Sequence, residues 1–228
     1  MCGRYILAQQ AKLERAIKLG KIRWQFEVSY NVAPTQPVPV VRLEEGERVG
    51  LLLRWGLIPY FARGVPPKYS TINAQIERLD SAPAWRGPWK RAQRCIQWAA
   101  GFYEWHVNEL GQKHPYFIHL ADQEVFGFAS VWDRSVADDG TAVESCALIT
   151  LPGNDLMRQV HNTGANPYRM PAILSSSDWE AWLAGSLDEA RAALKPYPQE
   201  VMVAHQVAAK VNSAKNDGPE LIEALPSA

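Results

Sequence analysis

Arg94-Cys95-Ile96-Gln97-Trp98-Ala99-Ala100-Gly101-Phe102-Tyr103-Glu104-Trp105-His106-Val107 is the stretch whose reading decides the fold. It reads as two strands, Arg94–Ala99 and Phe102–Val107, parted by a pair of small residues. Alternate residues of a strand share a face, so Glu104 lies beside Phe102 and opposite Tyr103 and Trp105. A carboxylate in so apolar a run has two readings. Either it is desolvated, which raises its pKa toward the range useful for proton transfer, or it sits on an edge strand and faces water.

More strands lie on both sides of this pair. Downstream, Tyr116–Leu120, Val125–Val131 and Glu144–Thr150 are strand-like, followed by Met170–Leu174 and Val201–Ala204. Upstream, Val38–Leu43 and Val49–Trp55 are joined by a turn through Glu44, Glu45, Gly46 and Glu47, and Tyr5–Leu7 opens the chain. The helical signals are short. Ala11, Leu13, Ala16 and Ile17 predict an amphipathic helix over Ala8–Leu19. Ile76–Lys90 reads as a helix or a pair of short turns, Asp155–Val160 as one turn, and Leu187–Leu194 as a helix ended by Pro196 and Pro198. A further helix starts near Ser177-Asp178-Trp179-Glu180, where acidic residues suit the helix dipole. Trp24–Pro39 is proline-rich and predicts a loop. Many short strands with scattered helices predict one α+β domain over residues 1–228, with largely antiparallel sheets, a barrel-like core and surrounding helices.

The 228 residues allow a substantial single core. Hydrophobic content of 47% and charged content of 21% are those of a soluble globular protein. There is no apolar run long enough to span a membrane, and the start lacks the features of a signal peptide, so a cytoplasmic protein is expected. Cys2, Cys95 and Cys146 are widely spaced and suggest neither a disulfide framework nor a zinc site. Cys95 and Cys146 lie in apolar runs and read as small buried hydrophobes. No metal or other cofactor is expected. Net charge is zero, but the first 115 residues hold 17 Lys and Arg against 9 Asp and Glu. That asymmetry fits a basic face for a phosphate backbone, or two oppositely charged regions packed together.

Met1-Cys2-Gly3-Arg4-Tyr5 carries the first chemical signal. Cys2 is small enough for Met1 to be trimmed, which leaves an α-amine and a thiol on adjacent carbons. Their ordinary pKa values, about 7.7–8.0 and about 8.5, leave some free amine and a few per cent of thiolate near neutral pH. An aldehyde meeting such a pair condenses with the amine to an imine, which sulfur closes into a thiazolidine. Other signals are weaker. Trp55, Tyr60 and Phe61 flank a Gly/Pro-rich loop and form either a stacking platform or core. Asn73 reads as a residue entering a helix or capping it. His161 lies in a polar loop after the Asp155–Val160 turn.

Taken together, Cys2-Gly3-Arg4, Tyr30-Asn31-Val32-Ala33-Pro34, Trp55-Gly56-Leu57-Ile58-Pro59, Ile72-Asn73-Ala74, Gly101-Phe102-Tyr103-Glu104-Trp105 and Arg169-Met170-Pro171 resemble the SOS response-associated peptidase family, in its order and across nearly the whole chain. The resemblance implies a sensor that crosslinks to abasic sites in single-stranded DNA, where the opened sugar supplies the aldehyde. It implies Cys2 as nucleophile, Asn73 holding the Cys2 amine or the sugar, Glu104 shuttling protons, and His161 assisting ring opening. It also implies self-removal of residue 1, and a lyase activity where an imine undergoes β-elimination. Arg4 and Asn31 fall around the implied site, Thr150 beside the DNA backbone, and Tyr60 and Phe61 where hydrophobic residues separate or stack bases.

Two departures stand out. Gln75 occupies a position where the family commonly has a phosphate-binding Arg, which weakens the electrostatic part of DNA binding and leaves Arg78 as the nearby cation. Residues Asn162 to Tyr168 are inserted between His161 and the Arg-Met-Pro motif. A monomer is expected, nucleoid-associated when bound to damaged DNA. A non-covalent single-strand binding module and a Cys–His peptidase acting on other proteins are the alternatives.

Overall fold

A computed structural model describes residues 2–17 and 19–226. Met1, and with it the expected trimming, lies outside the described residues, as does Lys18 of the expected first helix. The strands are β1 (Tyr5–Leu7), β2 (Lys21–Arg23), β3 (Ser29–Val32), β4 (Pro37–Glu44), β5 (Glu47–Trp55), β6 (Asn73–Gln75), β7 (Arg94–Ala99), β8 (Gly101–Val107), β9 (Lys113–Leu120), β10 (Phe126–Val136), β11 (Ala142–Pro152), β12 (Arg169–Pro171), β13 (Ile173–Leu174) and β14 (Met202–Gln206). The α-helices are α1 (Gln10–Ala16), α2 (Pro83–Lys90), α3 (Asp155–Val160), α4 (Trp179–Leu183) and α5 (Leu187–Ala192). No helix among the described residues is long and apolar enough to cross a membrane.

The strands β11, β10, β7, β4 and β5 pair antiparallel in that order. β11 then meets β5 in parallel, Ser145 opposite Arg54 and Cys146 opposite Trp55. This last pairing closes a five-stranded barrel and removes the exposed edges an open sheet would have. A second sheet, β14-β9-β8-β1-β3, is antiparallel throughout. The chain therefore has the α+β fold expected, with a barrel core and largely antiparallel sheets.

The decisive stretch supplies one strand to each sheet, β7 to the barrel and β8 to the second sheet. The alternation in β8 holds. Phe102 packs into the main core against Phe128, with ring centroids 5.9 Å apart, while Tyr103 joins a smaller cluster with Ile6, Phe117 and Val211. Gly101 is required at the turn between the two strands, because a Cβ there would lie 2.3 Å from the Phe117 ring. Trp55 is fully buried, its indole N–H donating to the Ile72 carbonyl at 3.0 Å. Of the two readings for that aromatic, core is the one observed.

Several boundaries differ from expectation. The first helix is shorter, because Gln9 is extended before it and Ile17 turns extended after it to bury its side chain. The Trp24–Pro39 region contains β3 and the start of β4. Proline is tolerated there because β4 pairs with β7 only at Val40 and Val41, so nothing on that side asks Pro37 or Pro39 for an N–H. Ile76–Lys90 resolves into a 3-10 turn, Ile76–Arg78, and the separate helix α2. Asn73 does not cap a helix. It begins β6, which lies parallel to β11 with Asn73 opposite Leu148.

Candidate active site

Four elements deliver the four residues expected to do chemistry. Cys2 precedes β1, whose Tyr5 lies opposite Phe102 of β8. The Tyr103 N–H donates to the Arg4 carbonyl at 3.0 Å, which draws the N-terminal segment along the strand that carries Glu104. Asn73 rides on β6 at the barrel's closing strand. His161 caps the C-terminal end of α3, a helix started by Asn154, whose side chain accepts from the Met157 N–H. All four side chains are buried.

Asn73 Nδ2 donates to the Cys2 carbonyl at 2.8 Å, while its Oδ1 is buried without a hydrogen-bond partner. His161 Nε2 lies 3.6 Å from Glu104 Oε2. His161 Nδ1 lies 2.9 Å from the Arg169 carbonyl oxygen and 3.3 Å from the Arg169 N–H. The shorter contact requires a proton on Nδ1, so the geometry assigns the Nδ1–H tautomer and turns an Nε2 lone pair toward Glu104. Burial pushes the Glu104 carboxyl up to about 7 and the His161 imidazole down to about 4. At neutral pH the histidine is therefore uncharged, and the carboxyl exists both as acid and as base. Of the two readings for Glu104, the desolvated one is correct.

The Cys2 thiol departs from expectation. Burial, reinforced by the charge of Glu104, raises its pKa well above the ordinary value, so the thiol is held protonated rather than a few per cent ionised. Its Sγ–H faces the Arg4 carbonyl at 3.8 Å. Cys95 and Cys146 are both buried and unbridged, as expected of small hydrophobes.

The residues expected to hold DNA fall into two groups. Tyr60 and Phe61 are exposed, 58% and 48%, with ring centroids 5.5 Å apart and planes at 84°. The Arg91 guanidinium sits 5.2 Å over the Tyr60 ring. Arg78 is exposed and lies 5.8 Å over Trp85. Asn31 and Thr150, by contrast, are buried and engaged within the protein. Asn31 Nδ2 donates to the carbonyls of Val211, Ser213 and Asn216, and its Oδ1 accepts from Arg4 at 2.9 Å. Thr150 Oγ1 accepts from Arg169 Nε at 3.3 Å. Gln75 Nε2 donates to Asn166 Oδ1 at 2.8 Å, so the inserted segment reaches the position where a cation was missing.

Arg169 is the residue whose part the sequence reading missed. Its carbonyl fixes the His161 tautomer, and its guanidinium makes a two-pronged pair with Glu77 at 3.0 and 2.9 Å. The only signal was its place in the Arg-Met-Pro motif. Asn162 belongs to the inserted segment. Its amide both accepts from the Val107 N–H and donates to the Val107 carbonyl, which ties the segment after His161 to the end of β8.

A family model described as SOS response associated peptidase (SRAP) matches residues 1–214. The chain is 35% identical over 234 residues to the abasic site processing protein YoqW of Bacillus subtilis, covering 98% of this chain and 99% of that protein. It is 29% identical over 230 residues to the abasic site processing protein HMCES of Gallus gallus, covering 87% of this chain and 66% of that protein. A crystal structure of a protein from Bordetella bronchiseptica superposes with a TM-score of 0.78 at 28% identity, over 91% of this chain and all of the other. One from Bacteroides thetaiotaomicron gives 0.76 at 28% identity, over 86% of this chain and 85% of the other. With a family model matched over most of its length, this chain belongs to the SOS response associated peptidase (SRAP) family.

Proposed function

We propose that this protein captures abasic sites in single-stranded DNA covalently, through a thiazolidine formed by Cys2 once Met1 has been removed. The observation that carries this reading is the convergence of Cys2, Asn73 and the Glu104–His161 pair from four separate elements. The relatives named as abasic site processing proteins support it.

The steps follow from the groups present. The abasic sugar is a closed hemiacetal. His161 Nε2 is a base positioned to take the C1′ hydroxyl proton, while protonated Glu104 donates to O4′ as the C1′–O4′ bond breaks and the aldehyde appears. The free Cys2 amine attacks C1′, its proton passing to the Glu104 carboxylate while the His161 imidazolium returns its proton to the alkoxide, which gives a neutral carbinolamine and restores the acid form of Glu104. Glu104 protonates the departing hydroxyl, and water leaves as the C=N bond forms. The Sγ–H bond then breaks, its proton passing to the Glu104 carboxylate as Sγ joins C1′ and the C=N electron pair returns to nitrogen, closing a ring of sulfur, Cβ, Cα, nitrogen and C1′. A carboxyl with pKa near 7 serves both directions of proton transfer. A protonated thiol suits the sequence too, because the amine must react first. Asn73 holds the Cys2 carbonyl and so fixes where the amine points.

Self-removal of Met1 and β-elimination from the imine stage use the same groups and belong to this proposal. So does action as a cytoplasmic monomer. The test mixes untagged protein with an oligonucleotide bearing one abasic site and examines it by denaturing gel and intact mass. Cys2→Ser, Cys2→Ala and an N-terminally extended form run alongside. A heat-stable adduct from wild type alone, with Met1 absent from the mass, is expected. Equal retention of intact and abasic strands on a native gel, with no adduct, would overturn the reading.

A further inference from the structure

Beside the strand that carries Asn73 lies a cavity of about 480 Å³, lined among others by Tyr69, Ser70, Arg78, Pro83 and Trp85. Ser70 and Arg78 bracket β6 in sequence. An extended residue spans at most about 3.6 Å, so the Ser70 wall begins within about 11 Å of Asn73. The volume lies within the range of ligand pockets, about 300–1,000 Å³.

The chemistry of the lining is specific. Trp85 is 6% exposed and contributes an aromatic side chain to the lining. The Arg78 guanidinium stands 5.8 Å over that ring, and among the described residues no carboxylate pairs with it. Its donors are therefore available to a ligand. Tyr69 is 56% exposed and supplies a second aromatic face. A phosphate would use Arg78 but leave both aromatic rings idle. A metal ion would find no carboxylate, imidazole or thiolate in the lining. A flat heterocycle with acceptor atoms on its edge uses all three groups. Aromatic faces stack on any base, and the guanidinium fork matches the paired acceptors O6 and N7 of guanine.

We propose that this cavity is a nucleobase subsite, which takes an unpaired base from a nucleotide flanking the abasic sugar and prefers guanine. The inference rests on the reading of the protein as a single-strand abasic-site protein, and names how that site selects its context.

The experiment measures equilibrium binding by fluorescence anisotropy. The strands carry a tetrahydrofuran abasic analogue, which lacks the aldehyde and so reports binding without chemistry. At each flanking position in turn, the base is varied among the four or replaced by a second base-less spacer. Wild type is expected to show one position where losing the base weakens binding about fivefold or more, with guanine the tightest. In Tyr69→Ala and Arg78→Gln, both exposed positions, that dependence disappears and base-bearing and base-less strands bind alike. The subsite is overturned if no position matters, or if the variants keep the dependence. It is also overturned if Arg78→Gln weakens every strand equally, the mark of a phosphate contact. Crosslinking to aldehyde-bearing strands is read separately. Base dependence without any crosslink sinks the covalent reading and leaves the subsite standing, whereas crosslinks with no base dependence sink the subsite alone.

Discussion

His161 Nε2 faces Glu104 Oε2 across 3.6 Å, in a setting where each side chain is 2% exposed. The two groups are shifted in opposite directions by the same burial, Glu104 up to about 7 and His161 down to about 4. Between pH 4.5 and 7 the folded protein holds a proton on Glu104 that the unfolded chain has lost, so this group makes stability fall as pH rises. Between pH 4 and 6.5 the unfolded chain holds a proton on His161 that the folded protein lacks, so this group makes stability rise with pH. Over the shared window the two slopes oppose each other. Wild type is expected to show a nearly flat denaturation midpoint from pH 4.5 to 6.5. Glu104→Gln unmasks a rise with pH across that window, and His161→Gln a fall. Parallel profiles for wild type and both variants would count against this pairing.

Glu104→Gln carries a kinetic expectation as well. On the proposed mechanism Glu104 acts as acid and base in turn, so its removal is expected to slow adduct formation by about a hundredfold or more. It also abolishes the pH dependence centred near 7. A gel time course over a pH series reads both.

Gln75 donates to Asn166 and brings no charge to the strand beside Asn73. Gln75→Arg is expected to tighten binding to single-stranded DNA at low salt and to steepen the slope of log K against log salt by about 0.7, the contribution of one more phosphate contact on a single strand. Anisotropy titrations at several salt concentrations give that slope directly.

Tyr60 and Phe61 meet edge to face on the surface. Replacing either with Ala should cost about 1–3 kcal/mol of single-strand binding where a base stacks on it, and shift thermal stability little. An unchanged Kd for both variants removes them from the DNA surface.

Asn31 holds the carbonyls of Val211, Ser213 and Asn216 and positions Arg4. Its truncation to Ala strands several buried groups at once and is expected to cost about 2–3 kcal/mol of stability. Limited proteolysis should then cut first within residues 211–216, ahead of the barrel. Wild-type resistance there would mean other contacts hold the segment.

The strands of the barrel are legible in the sequence as apolar runs rich in β-branched and aromatic residues, buried along most of their length. β7 matched to the residue, and β8 differed by one. β6 was not legible. Three residues carry no period, and this strand exists only because β11 offers a parallel edge. The four residues proposed to do chemistry stand out through their motifs, although Asn73 alone looks like a helix cap. The protonated state of the Cys2 thiol is not legible in the sequence, because it follows from burial, which is a tertiary property. Arg169 acts on His161 through its backbone carbonyl, and a carbonyl is common to every residue type.

The parallel contact between Cys146 and Trp55 that closes the barrel joins residues far apart in the chain. Long-range pairings of this kind form late in folding, and a polypeptide emerges from the ribosome at about 5–20 residues per second. Cys2 is made well before β11, which seats Asn73, and before the helix that presents His161. A nascent chain thus carries Cys2 for many seconds without Asn73 and His161 in place, and the proposed trap for aldehydes assembles only after β11 and α3 have been made.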